Sequence, residues 1–487
     1  MIRYFRKRAV RTLSGVAPVA VLTMPYSCPG TCAYCPNEKD VPRSYLSNEP
    51  AVMRAIRCDY NPYVQVQDRL RALEANGHAP EKIELIVIGG TWSVLPVAYK
   101  YWYVKECFRG ANDFARQRNF QFSIFNFQTI SKFSISKLQK ELLVEQKKNE
   151  KARYKIIGLT LETRPDYINE KELWEMRELG CTRVELGVQA IDDEILKLNK
   201  RGHDMACIAE ATALLRSFGF KITYHLMPGL PGATPAKDLA MFQMLFSDLR
   251  FQPDQIKFYP TVVTKGSLLY RWWKAGKYVP YTDEELQQLI IDCKKIVPEY
   301  VRIIRLIRDI PGESIEAGNK ITNLRQVMQQ RGVKCNCIRC RESRNSQLVT
   351  RNSQLEIINY NVTSGEEYFL QYTNNDGRLL GFCRMFLPHN TQHITRNKKG
   401  GKKLQVTSYK LQAIIRELHI YGELVPVGEN KKIQHAGLGK KLLKAAEKIA
   451  KKNKCEKISV ISGVGVRGYY RKLGFRLKDS YMTKKLQ

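Results

Sequence analysis

A run of apolar segments, separated by helical patterns, constrains this chain more than any other feature. The segments are 83–91 (IELIVIGGT), 155–163 (KIIGLTLET), 183–190 (RVELGVQA), 221–229 (KITYHLMPG) and 255–263 (QIKFYPTVV). Between them, 171–179 and 205–218 carry apolar residues at helical spacing. Such alternation predicts an α/β fold whose parallel sheet closes, or partly closes, into a barrel. Chemistry in barrels of this kind gathers at the C-terminal strand ends. Those ends carry Gly89-Gly90-Thr91, Glu162-Thr163-Arg164, Gln189 and Pro228-Gly229.

The rest of the chain breaks from this pattern. Residues 111–153 are aromatic and then strongly charged, which reads as an excursion on the barrel surface ending in a solvated helix. Residues 332–344 form a short connector rich in cysteine and arginine. From about residue 355 strands precede one clear helix, predicting a second, smaller α/β unit. The basic stretch 397–403 (NKKGGKK) reads as a hairpin tip. The expected units are a basic segment 1–17, a barrel 18–330, a connector 331–354 and a C-terminal unit 355–487.

Charge narrows the partner. Lys and Arg number 80 against 47 Asp and Glu, a net +33, which calls for a polyanion and above all nucleic acid. No apolar run reaches the roughly 18 residues that a membrane-spanning helix needs. The start, MIRYFRKRAVRTL, is basic, but the apolar stretch after it is short and contains a proline, which does not fit a secretory signal. Two of the cysteine groups among the 13 cysteines are tight, Cys28/Cys32/Cys35 and Cys335/Cys337/Cys340. Tight groups without a secretory signal read as metal sites in a reducing, cytoplasmic compartment.

Within SCPGTCAYCPN the spacing is Cys-x3-Cys-x2-Cys. Thiolates hold iron–sulfur clusters, and three ligands leave one iron of a cubane open. A zinc knuckle or unconnected thiols are the alternatives; zinc normally takes four ligands, and Cys58 is the nearest candidate. The spacing resembles the signature of radical S-adenosylmethionine (SAM) enzymes. That resemblance implies a 4Fe–4S cluster on Cys28, Cys32 and Cys35, with SAM chelated at the open iron. It also implies that Tyr34 packs on the adenine. Gly89 and Gly90 then form the expected place of the SAM amino group, and Glu162 and Gln189 are candidate contacts to its ribose and methionine.

Near the C-terminus, strand 416–427 leads to Gln434-His435-Ala436-Gly437-Leu438-Gly439-Lys440 and a helix over 441–452. Glycines let the backbone approach a pyrophosphate, and a helix N-terminus offers it free N–H groups. The pattern resembles the acetyl-coenzyme A signature of GNAT-type acetyltransferases. A strand at 457–462 and VRGYYRKLGF follow in the GNAT order, with Tyr470 a candidate general acid or acyl contact; the alternative is that Tyr469 and Tyr470 pack the last helix. Cys335, Cys337 and Cys340 suit a structural zinc, with Cys293 or a histidine as a possible fourth ligand. A second iron–sulfur cluster or plain buried thiols are the alternatives.

The pairing of these two units is itself specific. With MRAIR (53–57), LETRPDY (161–167), GCTRVELGVQ (180–189), NKRGH (199–203), RDIPG (308–312), RELHIYG (416–422) and ISGVGVRGYYRKLG (461–474), it resembles the catalytic subunit of Elongator over nearly the whole chain. The resemblance implies a partial (β/α) barrel of radical SAM type followed by a GNAT-type domain. It implies a tRNA carboxymethyluridine synthase, which puts a carboxymethyl group on C5 of the wobble uridine. Acetyl-coenzyme A contacts carry over to Lys82, Glu417, Leu418, His419, Ile420, Leu438, Gly439, Lys440 and Tyr470, of which Lys82 and Tyr470 are the catalytic candidates. The short gap between the first two cysteines resembles bacterial and archaeal members, which work without other Elongator subunits. Such an enzyme binds tRNA itself, with Arg3, Arg6, Lys7, Arg8 and Arg11 as candidate phosphate contacts, and takes its electron from a donor protein or reductant. The competing reading is a protein lysine acetyltransferase whose cluster is only structural.

Overall fold

The computed structural model describes residues 15–115, 134–343, 353–389, 412–421 and 437–486. The basic N-terminal residues Arg3 to Arg11, the stretch 397–403 and the signature residues Gln434, His435 and Ala436 lie outside them. No helix among the described residues is long and apolar enough to cross a membrane.

Seven parallel strands form the first sheet: β1 (Ala17–Leu22), β2 (Lys82–Ile88), β3 (Lys155–Thr163), β4 (Arg183–Gln189), β5 (Lys221–Leu226), β6 (Gln255–Phe258) and β7 (Arg302–Arg305). They pair strictly in chain order, as helical crossovers between parallel neighbours require. β4 is buried along nearly its whole length, so its polar residues Arg183 and Glu185 are buried with its apolar ones. The strand expected over 255–263 stops at Phe258, two residues before Pro260, which has no N–H for a ladder.

The charged half of 111–153 departs from the expected solvated helix. Helix Ile135–Asn149 buries Leu138, Leu142, Gln146 and Asn149 against the barrel. Just beyond it, Glu150 pairs with Arg467 (3.5 Å) and Arg471 of the C-terminal unit. The charge pattern hid an amphipathic face that only a neighbour reveals.

The second sheet is mixed. Its strands are β8 (Gln354–Val362), β9 (Gly365–Thr373), β10 (Leu379–Pro388), β11 (Gln412–Ile420), β12 (Lys457–Val460), β13 (Arg476–Lys478) and β14 (Tyr481–Lys485), in the order 13-14-12-11-10-9-8. β11 and β12 run parallel, joined through helix Leu438–Lys452, and the other pairs are antiparallel. β11 is described to Ile420, so residues 422–427 of the expected strand lie outside the described residues.

The two sheets meet tightly. A Cβ on Gly463 would stand 1.9 Å from the Ile157 carbonyl oxygen of β3, so glycine permits that approach. Tyr481 donates a hydrogen bond to the Phe218 carbonyl (2.8 Å), and Arg177 to that of Ser480 (2.6 Å).

Candidate functional site

The chain leaves the C-terminal end of β1 into the loop that carries Cys28, Cys32 and Cys35. Backbone bonds clamp this loop at Ala33: its N–H donates to Asn199 (3.1 Å) and its carbonyl accepts from Leu269 (2.8 Å). Cys28 Sγ lies 3.7 Å from Thr91 Oγ1, beside the Gly89-Gly90 turn. Arg201 donates to Cys32 Sγ at 3.1 Å, and Arg164 reaches it at 3.7 Å. Burial alone would raise the Cys32 thiol, but Arg201 and then Arg164 bring it below its ordinary value. That favours the thiolate, the form that ligates metal. Among the described residues, Cys335, Cys337 and Cys340 bring three sulfurs within 4.8 Å of one another.

Gly89 and Gly90 follow β2 directly, with φ of 134° and 98°. A Cβ on Gly89 would stand 2.1 Å from Thr23 Oγ1. Glu162, on β3, accepts from Tyr45 Oη at 3.0 Å, and its side chain stays 20% exposed toward the mouth. Gln189 ends β4 with φ of 73°, a costly conformation for a side-chain-bearing residue. Its Oε1 is buried without a hydrogen-bond partner. An orphaned buried acceptor at this end of the sheet fits a ligand that brings an ammonium group, as SAM does. Gly89, Gly90, Glu162, Gln189 and the cysteine loop thus share the C-terminal mouth of the barrel.

The acetyl-coenzyme A candidates gather at the opposite mouth. A cavity of about 150 Å³ there is lined by Glu84, Arg183 and Lys221 from strand starts of the barrel. Glu417, Leu418, His419 and Tyr470 line it from the second sheet. Arg183 pairs with Glu84 at 2.9 Å, and Lys221 lies 3.7 Å from Glu417. Burial pushes the Tyr470 phenol far up, so it keeps its proton as a donor. Helix Leu438–Lys452 starts from Gly437 (φ 82°) with no side-chain cap among the described residues, an arrangement in which a helix start offers N–H groups to a ligand. A Cβ on Gly439 would stand 2.8 Å from the Tyr469 hydroxyl and 3.7 Å from Ile420 Cγ1, so β11 and this helix end are neighbours. Leu438 is buried below them, and Lys440 lies in the first turn. Lys82 opens β2 two residues before Glu84, at the same mouth but outside the cavity lining; burial lowers its ammonium pKa.

Relatives match along the whole chain. A protein of Dehalococcoides mccartyi (strain CBDB1) named tRNA uridine(34) acetyltransferase is 42% identical over 489 residues, 99% of this chain and 100% of its own. The chain belongs to the tRNA uridine(34) acetyltransferase and Elongator complex protein 3 family. Elongator complex protein 3 of Schizosaccharomyces pombe (strain 972 / ATCC 24843) is 36% identical, over 99% of this chain and 87% of its own. The solved structure of the archaeal Methanocaldococcus infernus Elp3 with an N-terminal deletion superposes with a TM-score of 0.77 at 35% identity, covering 97% of this chain and 99% of that one. Residues 22–245 match the radical SAM superfamily, 253–332 its C-terminal domain and 338–475 the GNAT acetyltransferase family. The protein is therefore an enzyme of the radical SAM and acetyltransferase class. The first unit implies SAM and a 4Fe–4S cluster, and the second implies acetyl-coenzyme A.

Sequence reasoning in this family missed the second layer of both mouths. Arg164 and Arg201 sit inside the family phrases LETRPDY and NKRGH, yet their contact with Cys32 needed the fold. Arg183 sits inside the phrase GCTRVELGVQ, whereas Glu84 and Lys221 carried no motif and their places near strand starts were the available signal. In the connector, Lys294 Nζ stands 3.7 Å from Cys340 Sγ. Cys293 is not the fourth ligand of that group: it packs with Asp238, Phe242 and Leu289 instead, and no described histidine joins the three thiols.

Proposed function

We propose that this protein is a tRNA carboxymethyluridine synthase, using SAM-derived radical chemistry and acetyl-coenzyme A to carboxymethylate C5 of the wobble uridine. The observation that carries this reading is one barrel with chemistry at both mouths: cluster loop and SAM candidates at one, acetyl cavity at the other. The family relatives support the substrate, since their names place them on tRNA uridine 34.

In this reading each residue has a role that the geometry supports. Cys28, Cys32 and Cys35 hold the cluster, and Arg201 and Arg164 favour the thiolate form of Cys32. With SAM bound, that centre supplies a radical able to abstract hydrogen from a methyl group. Gly89, Gly90, Glu162 and Gln189 cradle SAM. The free N–H groups at Leu438, Gly439 and Lys440 bind the coenzyme A pyrophosphate, while Glu417 to Ile420 flank its arm and Lys82 approaches from the barrel. Tyr470 donates a proton to the thiolate that leaves when the thioester is hydrolysed. β4 separates the mouths by about 20 Å at roughly 3.3 Å per residue. The acetyl group must therefore travel most of the barrel's length to meet the radical.

The remaining assignments belong to the same reading. The units run 1–17, 18–330, 331–354 and 355–487, and the enzyme works in a reducing cytoplasm without other Elongator subunits. Arg3, Arg6, Lys7, Arg8 and Arg11 contact tRNA phosphates, and a donor protein or reductant supplies the electron. Cys335, Cys337 and Cys340 hold a structural zinc, for which three converging thiols suit the metal's ligand preference.

The test uses trideuteroacetyl-coenzyme A with reconstituted enzyme, SAM, reductant and tRNA. Deuterium should appear in 5′-deoxyadenosine, and carboxymethyluridine at the wobble position, both by mass spectrometry. Acetyl transfer to protein amines without SAM, and no labelled 5′-deoxyadenosine, would favour the lysine acetyltransferase instead.

A further inference from the structure

The barrel interior between the two mouths holds a line of buried charge. At its centre is Glu185 of β4, whose side chain is 1% exposed. Its Oε2 faces His225 Nε2 of β5 at 2.9 Å and ion-pairs with Lys257 of β6. The other ring nitrogen, His225 Nδ1, lies 3.6 Å from Oε1 of Glu162 on β3, a close polar approach longer than a hydrogen bond. Tyr45 closes the line from above by donating to Glu162 Oε2 at 3.0 Å. The Tyr259 ring meets His225 edge-on at 5.1 Å, which fixes the imidazole plane.

Fold stability does not account for this cluster. Buried ions are expensive to desolvate, and apolar side chains of similar volume commonly hold a core as well or better. Burial alone would raise the Glu185 carboxyl, yet Lys257 and His225 hold it well below the usual range, so the charge is maintained. The Glu162, His225, Glu185 and Lys257 side chains are 20%, 6%, 1% and 9% exposed. The line therefore opens at Glu162, in the mouth that carries the cysteine loop.

We propose that His225, braced by Glu185 and Lys257, is a positioning residue for SAM: it fixes the Glu162 carboxylate in the orientation that receives the ligand. The proposal rests on Glu162 being a SAM contact. A carboxylate held on both oxygens, by Tyr45 and by His225, keeps one geometry whether or not ligand is bound. Binding then loses less rotamer freedom. Nothing in the cysteine motif or the glycine turn encodes this brace; the parallel register of β3, β4, β5 and β6 creates it.

The test is a double-mutant cycle on full-length protein with reconstituted cluster. SAM affinity is measured by equilibrium dialysis, with iron per chain as the loading control and the electron paramagnetic resonance signal of the reduced cluster with and without SAM as a second readout. Glu162→Gln should weaken SAM binding about tenfold, the size expected for a lost hydrogen bond to charge, and His225→Asn about threefold to tenfold, the scale of one side chain's lost restraint. The double variant should be little worse than Glu162→Gln alone, because both remove the same contact. The SAM-induced change in the cluster signal should shrink in His225→Asn at equal SAM occupancy. Wild-type SAM affinity in Glu162→Gln would defeat the reading of Glu162 itself. Wild-type affinity in His225→Asn, or additive losses, would defeat the positioning role alone. Glu185→Gln keeps the side-chain shape and should weaken SAM binding in the same direction; unchanged affinity at full iron would also overturn the proposal.

Discussion

At the scale of the residue, small geometric facts decide chemistry. Gly89 must be glycine twice over: its φ is 134°, and a Cβ would stand 2.1 Å from Thr23 Oγ1. Gly89→Ala should destabilise the turn by about 1–3 kcal/mol. It should abolish measurable SAM binding while iron per chain stays near wild type, since no cysteine ligand moves. Dialysis with labelled SAM checks this; unchanged affinity would remove the turn from the SAM site. Cys32 makes the complementary point. Its spacing from Cys28 and Cys35 is plain in the sequence, but the two arginines that favour its thiolate come from loops after β3 and β4. Contacts made by long side chains across such separations leave no local periodicity to read.

At the scale of the element, one helix end carries the coenzyme A reading. Helix Leu438–Lys452 starts at a glycine in the left-handed region and has no side-chain cap among the described residues. An uncapped start leaves donors that a ligand must satisfy. Gly439→Val would drive a side chain toward the Tyr469 hydroxyl and fill that space. It should weaken acetyl-coenzyme A binding at least about tenfold, because the lost bonds are to charged phosphate. SAM binding, about 20 Å away by the rise of β4, should not change. Calorimetric titration with each ligand tests both halves; equal loss of both would mean a general folding defect. The helix was legible from its glycines and apolar period. Helix Ile135–Asn149 was legible as a helix but not as a packed one, because its apolar residues are sparse and its buried Gln146 and Asn149 look like surface positions. Its packing is polar: Asn149 donates to the Tyr154 carbonyl (3.0 Å) and Gln146 to that of Glu178 (2.9 Å).

At the scale of the whole molecule, a buried ion network fastens the second sheet to the barrel. Asp254, just before β6, receives Arg416 of β11 (3.0 Å) and Arg384 of β10 (3.3 Å). Arg216 of the barrel pairs with Glu367 of β9 at 2.9 Å. Burial alone would raise the Asp254 carboxyl, but Arg416, Arg384 and Arg216 hold it below its ordinary value. A carboxylate depressed in the folded state contributes stability above its unfolded pKa, about 3.9, and loses it as pH falls toward the folded value. Asp254→Asn should therefore destabilise the protein by about 3–5 kcal/mol at neutral pH, the scale of a broken buried pair. The gap to wild type should narrow below about pH 4. Thermal melts across pH test this; a pH-independent gap would mean that packing, not charge, is lost. Because the network spans both units, its loss should lower acetyl-coenzyme A binding along with the melting temperature.

The sequence by itself determined the chemistry that lies in short range. The cysteine triplet, the Gly89-Gly90 turn, the Gly437-Leu438-Gly439 helix start and the strand–helix alternation are local, and each has a local physical cause: ligand spacing, positive φ, a free helix end, apolar periodicity. Tertiary structure alone decided where these pieces face. It set the cysteine loop and the cavity beside Glu417 and Tyr470 at opposite mouths of one barrel, brought Glu84, Arg183 and Lys221 into that cavity, and lined up Lys257, Glu185, His225 and Glu162 across four strands. Such placements depend on sheet order and register, which sum interactions over hundreds of residues and leave no mark in any single stretch of chain.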